Sequence, residues 1–140
     1  MNKFKLFSLL LLVVVVSGFK IAAYAQNEPI LYFCERYDSK KGEIGVSDRF
    51  TTGYLTVVVK SDYALNLDDV HIQFDKYNFR SGDFEYYKKY DYTVKPDMKY
   101  IYFEKNSSSD MKFDEPGFYR VFLLDDRDRT VASALIEIIP

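Results

Sequence analysis

The most constraining feature of the sequence is a series of short apolar or alternating segments, separated by turn residues about every ten positions. Val70, Ile72 and Phe74, for example, alternate with polar residues, which is the period of a strand with one buried face. Beyond the first 25 residues, no window combines a helical apolar period with helix caps. The spacing therefore predicts an all-β sandwich or barrel with little helix.

The segments predict about seven strands, bounded by the Gly, Pro, Asn, Asp and Ser residues that favour turns. The predicted strands are residues 30–37, 54–60, 70–75, 84–94, 100–103, 118–125 and 130–139, and residues 106–110 are predicted to form a polar loop. In the fourth strand Phe84, Tyr86 and Tyr90 share one parity, which Lys88 violates. We therefore expect a bulge or a sheet edge at Lys88.

The first residues predict export. Lys3 and Lys5 precede an apolar run over residues 6–16, and the segment closes on Ala23-Tyr24-Ala25. This order is typical of a secretory signal peptide over residues 1–25, cleaved after Ala25. An uncleaved anchor is the alternative, but a membrane-spanning helix needs about 20 apolar residues. We expect residues 26–140 to form a single domain that is periplasmic or secreted, with no membrane span in the mature chain.

Charge and cysteine content exclude several classes of protein. The formal net charge is −2 for the whole chain, and it is more negative without the three lysines of the leader. Nucleic-acid-binding proteins carry clustered basic residues, so we expect no nucleic-acid partner. Cys34 is the single cysteine and cannot form an intramolecular disulfide. We expect it to be a small buried hydrophobe of the first strand, with intermolecular pairing or reactivity as the alternative.

One segment narrows the predicted fold. In the stretch Glu115-Pro116-Gly117-Phe118-Tyr119-Arg120-Val121, an acid and a glycine precede a tyrosine that opens a strand. The stretch resembles the tyrosine corner of immunoglobulin-like domains, specifically of bacterial exported modules. The resemblance implies an immunoglobulin-like antiparallel β-sandwich. It also implies structural roles for Gly117, for Tyr119, whose hydroxyl would bond to upstream backbone, and for Val121, which would enter the core where antibody domains place a cysteine.

Residues suited to catalysis or metal binding are scarce. The single imidazole, His71, is predicted on the polar face of a strand, so we expect no enzyme activity and no cofactor. One His and one Cys cannot supply a zinc or copper site. Asp125, Asp126 and Asp128 have a spacing that suits calcium, although a solvated hairpin turn is the favoured interpretation. A pair of carboxylates for glycoside hydrolysis stays open, because their separations are unknown.

Aromatic residues are the notable part of the composition, with 13 tyrosines and 12 phenylalanines but no tryptophan. Strand alternation places several of them on the face opposite to that of neighbours that are predicted to be buried. The candidate partner-binding residues are Tyr87, Tyr100, Tyr102 and Phe122. Exposed aromatic patches usually mark interaction sites. The alternative is that these rings only cover the faces of the sheets.

The sequence therefore predicts an exported, non-catalytic binding or structural module. We expect it to present a tyrosine-bearing sheet face, or the edge strand around Lys88 and Lys89, to another envelope or secreted protein. A glycan-binding module is the alternative, and it would need several coplanar tyrosines on one face. Carbohydrate platforms favour tryptophan, which is absent, whereas tyrosine is enriched at protein interfaces.

Overall fold

The structure is a computed structural model that describes residues 28–104 and 111–140. These residues form twelve strands and no helix. The strands are β1 (Ile30–Cys34), β2 (Arg36–Asp38), β3 (Gly42–Ile44), β4 (Arg49–Thr51), β5 (Gly53–Tyr54), β6 (Thr56–Lys60), β7 (Asp69–Asn78), β8 (Asp83–Thr93), β9 (Tyr100–Phe103), β10 (Lys112–Phe113), β11 (Gly117–Leu124) and β12 (Thr130–Ile139). The predicted signal peptide and the predicted loop over residues 106–110 lie outside the described residues.

Two main sheets pack face to face. The larger has the order β4-β12-β11-β7-β8, and the smaller has the order β1-β6-β9. Two short pairs, β10 with β5 and β2 with β3, accompany them. Residues of both main sheets, such as Val57 and Phe103 on one and Ile72 and Val121 on the other, form one buried cluster. The all-β sandwich predicted from the strand spacing is confirmed.

The predicted strand count of seven is wrong, and the observed number is twelve. The predicted first strand is interrupted at Glu35, whose backbone N–H donates to the Ile44 carbonyl at 3.0 Å. At this residue the chain leaves β6, the partner of β1, and β2 pairs with β3 instead. The strands β3, β4, β5 and β10 have two or three residues each, too few to show an apolar alternation.

One strand pair departs from the predicted antiparallel arrangement. Strand β4 pairs with β12 in parallel, with Arg49, Phe50 and Thr51 opposite Glu137, Ile138 and Ile139. Parallel strands need a crossover connection, and here the strands β5 to β11 lie between β4 and β12 in the sequence. At the opposite edge of the same sheet lies β8, as the lysines of this strand predicted.

The bulge predicted at Lys88 is confirmed. In the pairing of β7 with β8, Phe74 lies opposite Lys88 while Asp75 lies opposite Tyr86, so that Tyr87 is the additional residue. An additional residue moves the side chains beyond it in the strand to the opposite face from the one that simple alternation predicts. Tyr90 therefore packs against the core, whereas Tyr86, which has the same sequence parity, is 66% exposed.

The tyrosine corner is present. The Tyr119 hydroxyl donates to the Glu115 carbonyl at 2.7 Å, and its ring is fully buried against Phe113 at a centroid distance of 4.8 Å. Burial raises the pKa of this phenol, so it stays protonated and can donate. Val121 enters the core, as the resemblance implied. The described residues thus form an all-β, immunoglobulin-like sandwich.

Gly117 opens the corner strand with φ of 149°, a backbone conformation that side chains with a Cβ rarely adopt. A Cβ at this position would also lie 3.0 Å from Cε of Lys76. The same lysine forms an ion pair with the Glu115 carboxylate and lies over the Tyr119 ring. Gly117 therefore allows the close approach of Lys76 that covers the corner.

We predict that Tyr119→Phe lowers the free energy of unfolding by about 1 kcal/mol, because it removes one buried hydrogen bond and leaves the Glu115 carbonyl without that donor. Urea unfolding followed by fluorescence measures the change. The matched control is Tyr86→Phe, which removes an exposed hydroxyl and should leave the midpoint unchanged. Equal midpoints for all three proteins would contradict a stabilising role of the hydroxyl.

Candidate functional site

The outer face of the five-stranded sheet carries two chemically different regions. On β11, Phe118, Arg120 and Phe122 alternate with buried core residues and therefore point away from the smaller sheet. The strand ends near Phe118 gather aromatic rings, whereas the opposite ends carry His71 and several charged residues. The two regions suit different chemistry and are described in turn.

We define the aromatic patch as Tyr77, Phe79, Phe84, Tyr86 and Phe118. Four of these rings form a contact chain, because Tyr77 contacts Phe84 at 5.2 Å and Phe79 at 5.0 Å, and Phe79 contacts Phe118 at 6.2 Å. Phe79 is 74% exposed, and Tyr86 and Phe118 are also exposed. Large rings that contact each other in solvent form a continuous apolar surface.

The turn between β7 and β8 positions Phe79 in this patch. Asn78 accepts a hydrogen bond from the Arg80 backbone N–H at 2.9 Å, and its carbonyl accepts from the Gly82 N–H at 2.8 Å. Gly82 has φ of 74°, the left-handed conformation that closes such a turn. An open groove of about 590 Å³ runs beside the hairpin, with Tyr77, Phe79, Arg80 and Tyr86 among its lining residues.

Arg120 lies at the margin of the aromatic patch. Its guanidinium carbon is 4.4 Å from the centroid of the Phe84 ring, a cation–π contact. Across the sheet, Arg120 lies between Asp75 of β7 and Leu135 of β12. Leu135 is also exposed, so the apolar surface continues past the arginine.

The charged region at the other end consists of paired groups. His71 Nδ1 lies 2.6 Å from Asp91 Oδ1, and Lys89 forms an ion pair with Asp128. His71 lies on the polar face of β7, as predicted, and Cys34 lies on the other sheet. These two residues therefore do not form the pair that nucleophilic catalysis would need.

Two of the three aspartates considered for calcium, Asp125 and Asp128, have other partners. The Asp125 carboxylate accepts hydrogen bonds from the backbone N–H groups of Arg127 and Arg129, each at 2.9 Å, and from the Arg129 guanidinium. These donors lower the pKa of Asp125. Across residues 28–104 and 111–140, no three acidic, His or Cys side chains are grouped as metal ligands. The favoured interpretation, a hairpin turn, describes this segment.

The outer face of the smaller sheet is covered by the chain itself. The hairpin of β2 and β3 lies over it, with the Tyr37 ring stacked on Tyr102 at a centroid distance of 4.1 Å and an interplanar angle of 12°. Beneath the hairpin, Val58 and Cys34 are fully buried although they belong to the face that points away from the main core. This face is therefore a second, smaller packed layer.

Glu43 attaches the hairpin to the sheet. Its carboxylate accepts a hydrogen bond from the Tyr32 hydroxyl and lies 3.2 Å from Lys60 Nζ. The hydrogen bond from Tyr32 is the main cause that lowers the pKa of Glu43 to about 2, and Lys60 adds to it. Burial, followed by this carboxylate, raises the pKa of the Tyr100 phenol. Lys60 also lies over the rings of Tyr32 and Tyr100, which completes a tightly coupled cluster.

The four predicted partner-binding residues do not share one surface. Tyr100 and Tyr102 lie on β9 beside the covering hairpin, and Tyr102 is 42% exposed. Phe122 lies half-buried on the opposite outer face, two residues along β11 from Arg120. Tyr87 is the bulge residue and packs against the core, with its ring 5.4 Å from Tyr119. Their part in partner binding stays a prediction.

Sequence reasoning missed most of the aromatic patch. Simple alternation places Phe84 and Tyr86 on the same face as Tyr90. The additional residue at the bulge puts them on the opposite face. Phe118 has the opposite parity to Tyr119 and Val121, so its exposure was within reach of the pattern. Phe79 lies in a turn, where no periodicity applies.

Cys34 is a free, fully buried thiol, as predicted for the first strand. Its Sγ lies 3.4 Å from the Arg36 carbonyl, and burial raises the pKa of the thiol. A protonated, enclosed thiol is a poor nucleophile. The described residues also contain no helix that is long and apolar enough to cross a membrane.

Comparison with known proteins assigns no family and no function to this chain. No protein-family model and no curated protein matches the sequence. Among solved structures, the chain is similar to an immunoglobulin-like protein from Pseudomonas aeruginosa, with 11% identity and a TM-score of 0.44 over 82% of this chain and 99% of that chain. Function has to be argued from the surfaces of this molecule, since folds of this kind host many functions.

We predict that Glu43→Gln destabilises the protein at neutral pH and that the difference from the parent shrinks in acid. The pKa of Glu43 is lowered on folding from 4.5 to about 2, so its stabilisation is complete above the unfolded value and is lost as the pH falls between these values. Urea midpoints measured from pH 7 down to about pH 2 test this. Asp68→Asn, an exposed carboxylate, is the control. A difference that is constant with pH would contradict the assignment.

Proposed function

We propose that the protein is an exported, non-catalytic module that binds a protein partner through the aromatic patch on the outer face of its larger sheet. The observation that carries this proposal is the contact chain of four rings, two of which are exposed on a sheet face that no described residue covers. A continuous apolar surface of this kind is costly in water unless it binds something.

The contrast between the two outer faces supports the proposal. The chain covers the smaller sheet with its own hairpin and attaches that hairpin through Glu43. It leaves the larger sheet uncovered where the apolar rings are densest. Phenylalanine, tyrosine and arginine are the residue types that are enriched in the cores of protein interfaces. An open groove beside the hairpin adds concave shape to the surface.

Ring geometry favours a protein over a glycan. A glycan platform needs coplanar exposed rings, but the patch rings meet at interplanar angles of 86°, 65° and 62°. The rings of Tyr37 and Tyr102 are nearly parallel, but they stack on each other, so each covers one face of the other. A glycan-binding function therefore has less support from the geometry of these surfaces.

We expect a pull-down with cross-linking, from extracts of the cells that make the protein, to capture a partner with the parent and lose it with the double variant Phe79→Ser and Tyr86→Ser. These exposed rings can be replaced without opening the core. The matched control is Tyr54→Ser with Tyr63→Ser, which removes two exposed rings elsewhere. Capture that survives in the patch variant, or is lost in both variants, would contradict the proposal.

Export is the remaining part of the proposal. It is supported by the leader pattern and by the cleavage sequence Ala23-Tyr24-Ala25. We expect N-terminal sequencing of the protein recovered after export to begin at Gln26. Recovery with an intact Met1 from the soluble cytosolic fraction would contradict both cleavage and export.

A further inference from the structure

We propose that the segment of the partner that covers the aromatic patch is acidic, and that it presents a carboxylate to Arg120 between apolar side chains. This inference rests on the proposed function and adds the chemistry of the ligand. It follows from the surroundings of Arg120, a cation that lies beside Phe84 and Leu135.

Arg120 is exposed, and its position is defined by packing. The guanidinium lies over the Phe84 ring at 4.4 Å, and Phe118 and Phe122 precede and follow it on the same face of β11. Leu135 lies opposite on β12. The N–H groups of a guanidinium match the two oxygens of a carboxylate.

The carboxylates around Arg120 are engaged elsewhere. Asp75, its cross-strand neighbour, accepts a hydrogen bond from the Gln73 amide at 2.9 Å and is not within ion-pair distance of the guanidinium. Glu137 is paired with Arg49 at 3.0 Å. Within the described part of the chain, Arg120 itself forms no ion pair. Its guanidinium N–H groups are therefore available to a carboxylate of a ligand.

Covering the patch changes the energetics of this cation. A partner that covers Phe84 and Leu135 also removes water from Arg120, and a desolvated charge without a partner opposes binding. A carboxylate of the partner that binds Arg120 offsets this cost and makes the contact specific. Arg80 lines the groove at the other end of the patch, together with Glu85.

The same charge disfavours a second copy of this chain as the occupant. In a two-fold contact, each face meets an identical face. In a two-fold contact centred on Arg120, this residue would approach its own symmetry mate within an apolar surface, while Glu137 is paired with Arg49 and Asp75 accepts from the Gln73 amide. A partner with acids where this face has arginines avoids that repulsion.

The test is selection from a random-peptide library displayed on phage, with the exported protein, its Arg120→Ala variant and its Arg127→Ala variant as targets. Arg127 is an exposed arginine in the turn between β11 and β12 and is the matched control. We expect the parent and the control to enrich peptides with Asp or Glu between aromatic or aliphatic residues. One enriched peptide, synthesised, should bind Arg120→Ala about tenfold more weakly or worse, since a hydrogen bond to a charged group is lost.

Replacing the acid of that peptide by Gln should weaken binding to the parent by a similar factor and leave binding to Arg120→Ala unchanged. Equal urea midpoints for parent and variants establish that the fold is intact. Enriched peptides that depend on Phe79 and Tyr86 but carry no acid, or that bind Arg120→Ala equally, would overturn this inference while the proposed function stands. Failure to enrich any peptide that depends on the patch, or binding of glycans there instead, would overturn both.

Discussion

The buried hydrogen bond from Tyr119 to the Glu115 carbonyl is the contact on which the arrangement of the larger sheet depends. It sets the point at which the chain enters β11, the strand that pairs with both β7 and β12. The ring that carries the hydroxyl is packed against Phe113 and Tyr87, so the corner also joins a short connecting strand and the edge of the sheet to the core. A change in this entry point would alter the register of two strand pairs together.

The bulge at Tyr87 connects the core to the surface. It turns Tyr87 inward against Tyr119, and it places Phe84 and Tyr86 on the solvent side of β8. One additional residue therefore both completes the packing around the corner and places two of the five rings of the aromatic patch. The position of these two rings is therefore fixed by the pairing of β7 with β8 and by the packing of Tyr87 on Tyr119.

The two outer faces of the sandwich differ in how their aromatic rings are packed. On the smaller sheet, Tyr102 stacks on Tyr37 of the hairpin, and Tyr32 and Tyr100 lie in the cluster of Glu43 and Lys60, which makes that face a structural layer. On the larger sheet, the rings contact one another but are left uncovered, with Arg120 beside them. Among the described residues, the second arrangement combines exposed apolar area with a cation that forms no ion pair, which is why the proposed binding function is placed there.

The sequence alone is sufficient to predict the all-β class, the principal strands, a bulge or an edge at Lys88 of β8, and the tyrosine corner. These follow from local patterns: alternation along a strand, turn residues between strands, and a short motif with a defined hydrogen bond. The structure adds which rings are exposed together, the parallel pairing of β4 with β12, and the position of the hairpin of β2 and β3 beside Tyr100 and Tyr102. These features depend on which distant strands and turns meet, and such contacts are not encoded within one segment of the chain.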